Sequence, residues 1–407
     1  MPETVSFEGL VIVVVVAFAM PLVLGLFPKA RLPSAVLEIV AGIVIGPAAL
    51  GWVDRDVPIQ ILALVGLAFL LFIGGLEIDL HRLRGRLLRV AATGFVLSLA
   101  IALLVSVGLD AAGLVETPLI VAVIVSSTGL GVVIAVLKDS GESTSEFGQL
   151  LIVGASLSDF GAIVLLTLLF SRDASSPGSR ALLLCAFALL AVVAGLAIAG
   201  AGRWTRLNRA FTMLQDTTAQ IRVRGSMVLL IGFVAMAETL GLETILGAFI
   251  AGAILSAIDR DRTMTHPAFR QKLEAMGFGL FIPVFFVSSG IAFDLSALTS
   301  SASALARVPV FLITLLVVHA VPVALTARGL VGSRRAIAAG LLQSTTLSFV
   351  VATAAIGTEL GLLGRATGAA LIAAGLLSVL LFPVIAAALL QGDAERASGV
   401  TVPVPRP

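Results

Sequence analysis

The chain has 407 residues, 59% of them apolar and 12% charged, with a mean hydropathy of +1.13. A soluble domain carries about 25% charged residues, and no water-soluble core could hide this much apolar surface, so the bilayer must be the solvent. A formal net charge of +2 gives no signal for nucleic-acid binding, and one cysteine, Cys185, excludes an intrachain disulfide or cysteine metal cluster.

A bilayer core takes about 20 apolar residues per helix. Hydropathy then predicts spans at roughly 7–27, 34–51, 58–76, 87–109, 117–137, 147–170, 180–201, 221–240, 243–257, 273–290, 305–327, 333–357 and 366–390, thirteen in all. The first follows the acidic MPETVSFE and leads into Pro28, so it reads as a retained helix rather than a signal peptide. The ninth, with GAFIAG, is the shortest. With the N-terminus outside, 21 of the 26 Lys and Arg fall in cytoplasmic connections or the C-terminal tail. Only Arg55, Arg172, Arg180, Arg307 and Arg365 fall outside, the bias that sets orientation in the inner membrane. Trp52 and Trp204 mark span ends. Residues 1–390 form the transmembrane domain; 391–407, polar and Pro-rich, are expected to be a disordered cytoplasmic tail.

The chain resembles itself. LFIGGLEIDL, closing the third span, is echoed by FFVSSGIAFDL, closing the tenth, with Gly75 and Asp79 matching Gly290 and Asp294 at an offset of 215. SSTGL at 126–130 is echoed by QSTTL at 343–347 at an offset of 217. The pattern predicts repeat one at about 7–170, a linker helix at about 180–201, and an inverted second repeat at about 221–390.

Asp159 lies near the middle of the sixth span. A charge there costs about 2.5–3.5 kcal/mol on insertion scales and is functional by default, the alternative being a carboxylate tied up for packing specificity. Such a group holds a proton or a cation, and that competition drives exchange when the site faces each side in turn. Two polar stretches lie at similar depth: Ser126, Ser127, Thr128 and Gly129 in the fifth span, and Gln343, Ser344, Thr345 and Thr346 in the twelfth. They weaken a helix, and unwound backbone is tolerated in a membrane only where it lines a cavity or is buried in protein. Ser127, Thr128 and Ser158 would supply hard oxygens to sodium or potassium; Gln343, Ser344 and Thr345 would stabilise the crossing. Ordinary Ser/Thr packing is the alternative. His319, in the eleventh span, is either a satisfied core histidine or a titratable partner that tunes the pH response. The histidines at 81, 266 and 319 are too scattered for a metal site. Glu38 lies about one turn inside its helix, Glu238 near the outer surface, Glu243 in a short loop, and Glu77 and Asp79 beside the Arg82–Arg89 cluster.

These residues identify a resemblance to the monovalent cation:proton antiporter-2 family over nearly all of 7–390. It is carried by LEIVAGIVIGPAALG, VGLAFLLFIGGLEIDL, SSTGLGVVIAVLKDSG, GASLSDFGAIVLL, LGLETILGAFIAGAILS and FIPVFFVSSG. The resemblance implies an all-α membrane protein of thirteen helices in two inverted six-helix repeats. It also implies crossed, broken fifth and twelfth helices, and a core that moves against a dimer interface. Asp159 would match the family's ion-binding aspartate, and Ser127 and Thr128 its helix-5 break. Three departures stand out. Ser158 replaces the residue before the aspartate, which favours electroneutral one-for-one exchange. His319 replaces a lysine found in many members, and QSTTLSF replaces a Gly-Glu pair.

The expected function is therefore Na⁺/H⁺ or K⁺/H⁺ antiport by a homodimer, with no cofactor. The rivals are a sodium-coupled solute symporter and a cation channel or non-transporting sensor. No nucleophile–base constellation suggests an enzyme.

Overall fold

The computed structural model describes residues 7–26, 33–77, 85–142, 145–170, 177–201, 220–258 and 267–398. Several expectations fall outside this set: Lys29, Arg31, Asp79, His81, Arg82, Arg84, Arg172, the arginines at 203–209, Trp204, Arg260, Arg262, His266 and the tail at 399–407.

Every regular element among the described residues is a helix. In chain order these are α1 (Glu8–Leu26), α2 (Ser34–Ile45), α3 (Val57–Glu77), α4 (Gly85–Ala111), α5 (Pro118–Val125), α6 (Leu130–Asp139), α7 (Glu146–Phe170), α8 (Pro177–Ala201), α9 (Ile221–Thr239), α10 (Thr244–Ile258) and α11 (Pro267–Met276). A π-turn at Gly277–Phe281 leads into α12 (Ile282–Ile291). There follow α13 (Leu295–Thr299), α14 (Ala302–Thr326), α15 (Arg328–Val331), α16 (Ser333–Gln343), α17 (Ser348–Glu359) and α18 (Arg365–Ser398). Nine stretches of the described residues are long and apolar enough to cross a membrane, and 34–45, 182–196 and 244–257 are shorter apolar helices. Helix is the expected outcome in lipid, where each backbone N–H and C=O must be satisfied within its own segment.

The expected boundaries differ in three places. α2 stops at Ile45 rather than 51, because Pro47 disfavours helical backbone at Gly46 and the chain turns back through Gly51 at φ +62°. The tenth span starts at Pro267 and contains the π-turn, with Gly277 and Gly279 in it. α18 runs to Ser398, so the first eight residues of the expected tail are helical. Their sequence, QGDAERAS, includes good helix formers and continues an established helix.

The chain divides into two compact units. The first comprises Met1–Ala30, Ser34–His81 and Ile163–Phe293. Its helices meet backbone to backbone at glycines. A side chain on Gly42 of α2 would strike the Val287 carbonyl of α12, and one on Gly290 of α12 would strike the Ile39 carbonyl of α2. The same reciprocity joins α3 and α10, where Gly75 faces the Phe249 carbonyl and Gly252 faces that of Phe72. Small residues of this kind let membrane helices approach closely where lipid supplies no hydrophobic drive. Around the first crossing Val13, Ile45, Ile59, Val284 and Val287 form a buried apolar cluster.

The second unit comprises Arg31–Pro33, Arg82–Ala162 and Asp294–Pro407. Leu137, Leu151, Ala155, Leu342 and Phe382 lie in its apolar core, drawn from α6, α7, α16 and α18. At one end Arg335 pairs with Glu142 at 3.0 Å and lies over the Phe147 ring.

Candidate ion-binding site

Helix stops twice inside the second unit. α5 ends at Val125 with Ser126 as its C-cap, and α6 starts at Leu130. α16 ends at Gln343 with Ser344 as its C-cap, and α17 starts at Ser348. Both interruptions fall where hydroxyl residues cluster. The caps share nearly one conformation, φ −85°, ψ −8° at Ser126 and φ −77°, ψ −5° at Ser344. Their true register is thus 126 to 344, an offset of 218 rather than 217. Gln343, read as part of the break, is the last helical residue.

The breaks touch. The Gly129 N–H donates to the Thr345 carbonyl, and the Ser127 and Thr346 hydroxyls lie 3.1 Å apart. A side chain at Gly129 would press on the Thr345 carbonyl at 3.0 Å, so glycine permits the crossing. Ser127 and Thr345 play matched roles, each hydroxyl donating to the carbonyl three residues back, at Ile124 and Leu342.

α7 brings Asp159 to the first break. Its Oδ1 accepts from the Thr128 N–H at 3.1 Å and its Oδ2 from the Leu130 N–H at 3.4 Å. The carboxylate sits at the start of α6, where unpaired N–H groups and the helix dipole favour negative charge. Asp159 is half-buried, whereas Ser127 and Thr128 are fully buried and Ser158 is 4% exposed. The Thr128 hydroxyl oxygen is buried with no hydrogen-bond partner among the described residues. A carboxylate and an unused hydroxyl oxygen therefore belong to residues joined by a hydrogen bond, the donor chemistry a small alkali cation requires.

The second break has a neutral counterpart to Asp159. Ser378 of α18 accepts from the Thr346 N–H at 3.2 Å and donates to the Gly375 carbonyl at 2.8 Å. Sequence reading missed Ser378, and an inward serine in an apolar helix gave no distinguishing signal. It also missed the Leu130 N–H, because a backbone donor leaves no mark on residue identity.

The remaining predicted residues separate. Ser344 and Thr345 turn their hydroxyls back onto Gly340 and Leu342, so their side chains do not bridge the breaks. The Gln343 amide instead lies over Gly154 of α7, where a side chain would collide with it. His319 is 2% exposed. Its Nδ1 lies 3.0 Å from the Leu315 carbonyl and its Nε2 has no partner among the described residues, so the ring is not hydrogen-bonded to Asp159. Glu38 is buried and accepts from the Ser34 side chain in its own first turn. Glu238 is exposed, and Glu243 lies in the expected loop yet is buried. Glu77, largely shielded from solvent, lies 3.8 Å from the more exposed Arg270.

Known proteins resemble this chain in sequence and in fold. The chain is 32% identical over 394 residues to the "Putative Na(+)/H(+) antiporter YjbQ" of Bacillus subtilis, across 93% of this chain and 62% of that one. It is 26% identical over 276 residues to the Na⁺/H⁺-K⁺ antiporter GerN of Bacillus cereus, across 64% of this chain and 66% of that one. The chain thus spans less than two thirds of the length of both relatives. Its fold matches that of the sodium proton antiporter MjNhaP1 of Methanocaldococcus jannaschii at a TM-score of 0.66 and 18% identity, covering 94% of this chain and 98% of that one. Residues 14–392 match the model of the transmembrane sodium/hydrogen exchanger family, and the chain belongs to that family.

Proposed function

We propose that this chain exchanges sodium or potassium for protons, one cation for one proton, by alternating access at Asp159. The observation that carries the reading is the carboxylate held by two N–H groups of an interrupted helix, beside a buried Thr128 oxygen without a partner. The N–H groups compensate the carboxylate's charge once its proton has left. Thr128, Ser127 and Ser158 then offer oxygens to an arriving cation. Proton and cation compete for the same two carboxylate oxygens, so the site turns around loaded with one or the other. At the matching place on the second break stands Ser378, which carries no charge, and Ser158 precedes the aspartate; one carboxylate supports electroneutral exchange. Gln343, Ser344 and Thr345 hold the crossing through backbone position and packing, and His319 tunes the response to pH.

Thirteen transmembrane helices in two inverted repeats would house this site, with repeat one at about 7–170, a linker at about 180–201 and repeat two at about 221–390. The recurrence of the breaks at one register supports this arrangement, as do the two reciprocal glycine crossings. Each unit also draws helices from both halves of the chain. The protein would act as a homodimer in the inner membrane, N-terminus outside, with 391–407 as a cytoplasmic tail. The names of the relatives support sodium or potassium as the cation.

The test is proton flux in proteoliposomes on addition of NaCl or KCl. Asp159→Asn should abolish it, and flux should be insensitive to a clamped membrane potential. Cation-driven flux surviving the substitution rejects the mechanism. Substrate-dependent sodium uptake would mark a symporter, and conductance without proton counterflow a channel.

A further inference from the structure

The second unit holds a partly open cavity of about 30 Å³ whose wall includes neither Asp159 nor Thr128. It lies between α4, α7, α14 and α16, with Ser98, Ser158, His319, Thr326 and Gln343 on its wall. A water needs roughly 10–15 Å³ by this measure and two to four polar partners. The cavity therefore has room for one or two waters and supplies five polar side chains.

The hydrogen bonds already made define what the wall offers. Ser98 Oγ donates to the Val318 carbonyl at 2.6 Å, and Thr326 Oγ1 donates to the Pro322 carbonyl at 2.8 Å. Each leaves its oxygen lone pairs free to accept. A neutral His319 ring donates from Nδ1 to the Leu315 carbonyl at 3.0 Å. That tautomer leaves the lone pair on Nε2, a buried ring atom that completes no hydrogen bond among the described residues, although the Ser126 backbone also lies beside the ring. A buried acceptor in this state is costly, and a donating water removes the cost.

We propose that this cavity is a hydration site within the helix bundle. Its one or two waters join His319 Nε2 to Ser158 and pass protons between the imidazole and Ser158, the residue before Asp159 at the middle of α7. In each transfer one N–H or O–H bond breaks as the next O–H or N–H bond forms, and no other bonding changes. The proton would then reach the site by a route distinct from the N–H groups that hold the carboxylate. The relay rests on the exchange role of Asp159; the hydration does not. His319 is the one titratable group on the described cavity wall. The charged residues of α14 and the helices packed on it lie towards helix ends: Arg307 on α14 itself, Arg86, Arg89 and Asp110 on α4, Arg328 on α15, Arg334 and Arg335 on α16, and Arg365, Asp393, Glu395 and Arg396 on α18. Asp159 is the exception at mid-helix.

Gly94 gives the test. It lines the cavity, and an added methyl would meet only the Thr326 hydroxyl, at 3.6 Å, an ordinary contact. Gly94→Ala therefore displaces water without disturbing backbone. In a full-length His81→Gln, His266→Gln background, His319 is the single histidine. Its ring is followed by ¹⁵N NMR or infrared difference spectroscopy between pH 5 and 9, which needs no transport. Flux is then measured across the same range. The ring should titrate reversibly, and Gly94→Ala should move its midpoint by about half a unit, roughly threefold in proton affinity. The flux profile should move with it, while the half-saturating cation concentration at high pH stays unchanged. His319→Gln should remove the matching inflection. A ring fixed in one form across the range overturns the proposal. So does a Gly94→Ala protein whose titration and flux profile coincide with the parent. Absent flux in the parent, with the ring behaving as expected, overturns the antiport reading and the relay while supporting the hydration site.

Discussion

Replacing Thr128 by valine separates cation binding from folding. The Thr128 N–H holds Asp159, and valine keeps that bond. What it removes is the hydroxyl, whose oxygen is buried and unpartnered. A buried polar group without a partner costs about 1–3 kcal/mol, so the folded protein should lose nothing and can gain. The cation-bound state should lose an oxygen ligand. A hydrogen bond to a charged group is worth about 1.5–3 kcal/mol, and a lost ligand contact of that size raises the half-saturating cation concentration about tenfold to a hundredfold. The assay is initial flux in proteoliposomes against NaCl and KCl, alongside thermal unfolding of the same preparation in detergent. Affinity should fall while the unfolding midpoint holds or rises. An unchanged half-saturating concentration with a lowered midpoint would refute the reasoning and make Thr128 a packing residue.

Three further outcomes follow from the packing. Ser378→Ala removes the acceptor of the Thr346 N–H and should cost about 1–3 kcal/mol of stability while leaving cation affinity near that of the parent, read by unfolding and flux. Gly75→Ala places a methyl against the Phe249 carbonyl and should cost about 1–3 kcal/mol or prevent folding, whereas Gly108→Ala, with open space around it, should be neutral by the same unfolding measurement. The Asp294 carboxyl is held below its ordinary value by the Ser296 hydroxyl and then the Ala297 N–H, with Arg365 adding to them and partial burial opposing. The folded group thus binds its proton less readily than the unfolded one. Its contribution, about 0.5–1 kcal/mol as an N-cap, is full above the ordinary value of 3.8 and is lost as pH falls through the folded value. Asp294→Asn should keep the cap and flatten that acid limb of stability.

Much of the fold was legible because lipid imposes a one-dimensional rule. Nearly every described helix begins within a few residues of its hydropathy run. The interruptions at 126–129 and 344–347 were legible too, since hydroxyl and glycine residues in a row are conspicuous among valines and leucines. Their register was not. The string QSTTL aligns by identity with SSTGL, but Gln343 retains helical backbone and the break begins one residue later. Asp159 stood out as a charge in an apolar run, whereas Ser378 did not, because a lone serine costs little in a membrane helix.

The order of apolar and polar residues alone determined that this chain lives in a bilayer, where its helices lie, where two of them fail, and which carboxylate stands in the middle of an apolar span. Each is a local property, set by transfer free energy along the chain. Only the tertiary structure decided which N–H groups hold Asp159 and that Thr346 rather than Thr345 meets Ser127. It alone set the His319 Nδ1 against the Leu315 carbonyl and glycines against facing carbonyls. Those outcomes join residues up to about two hundred positions apart. They depend on helix crossing and on backbone groups that all residues share, so no single stretch of sequence can express them.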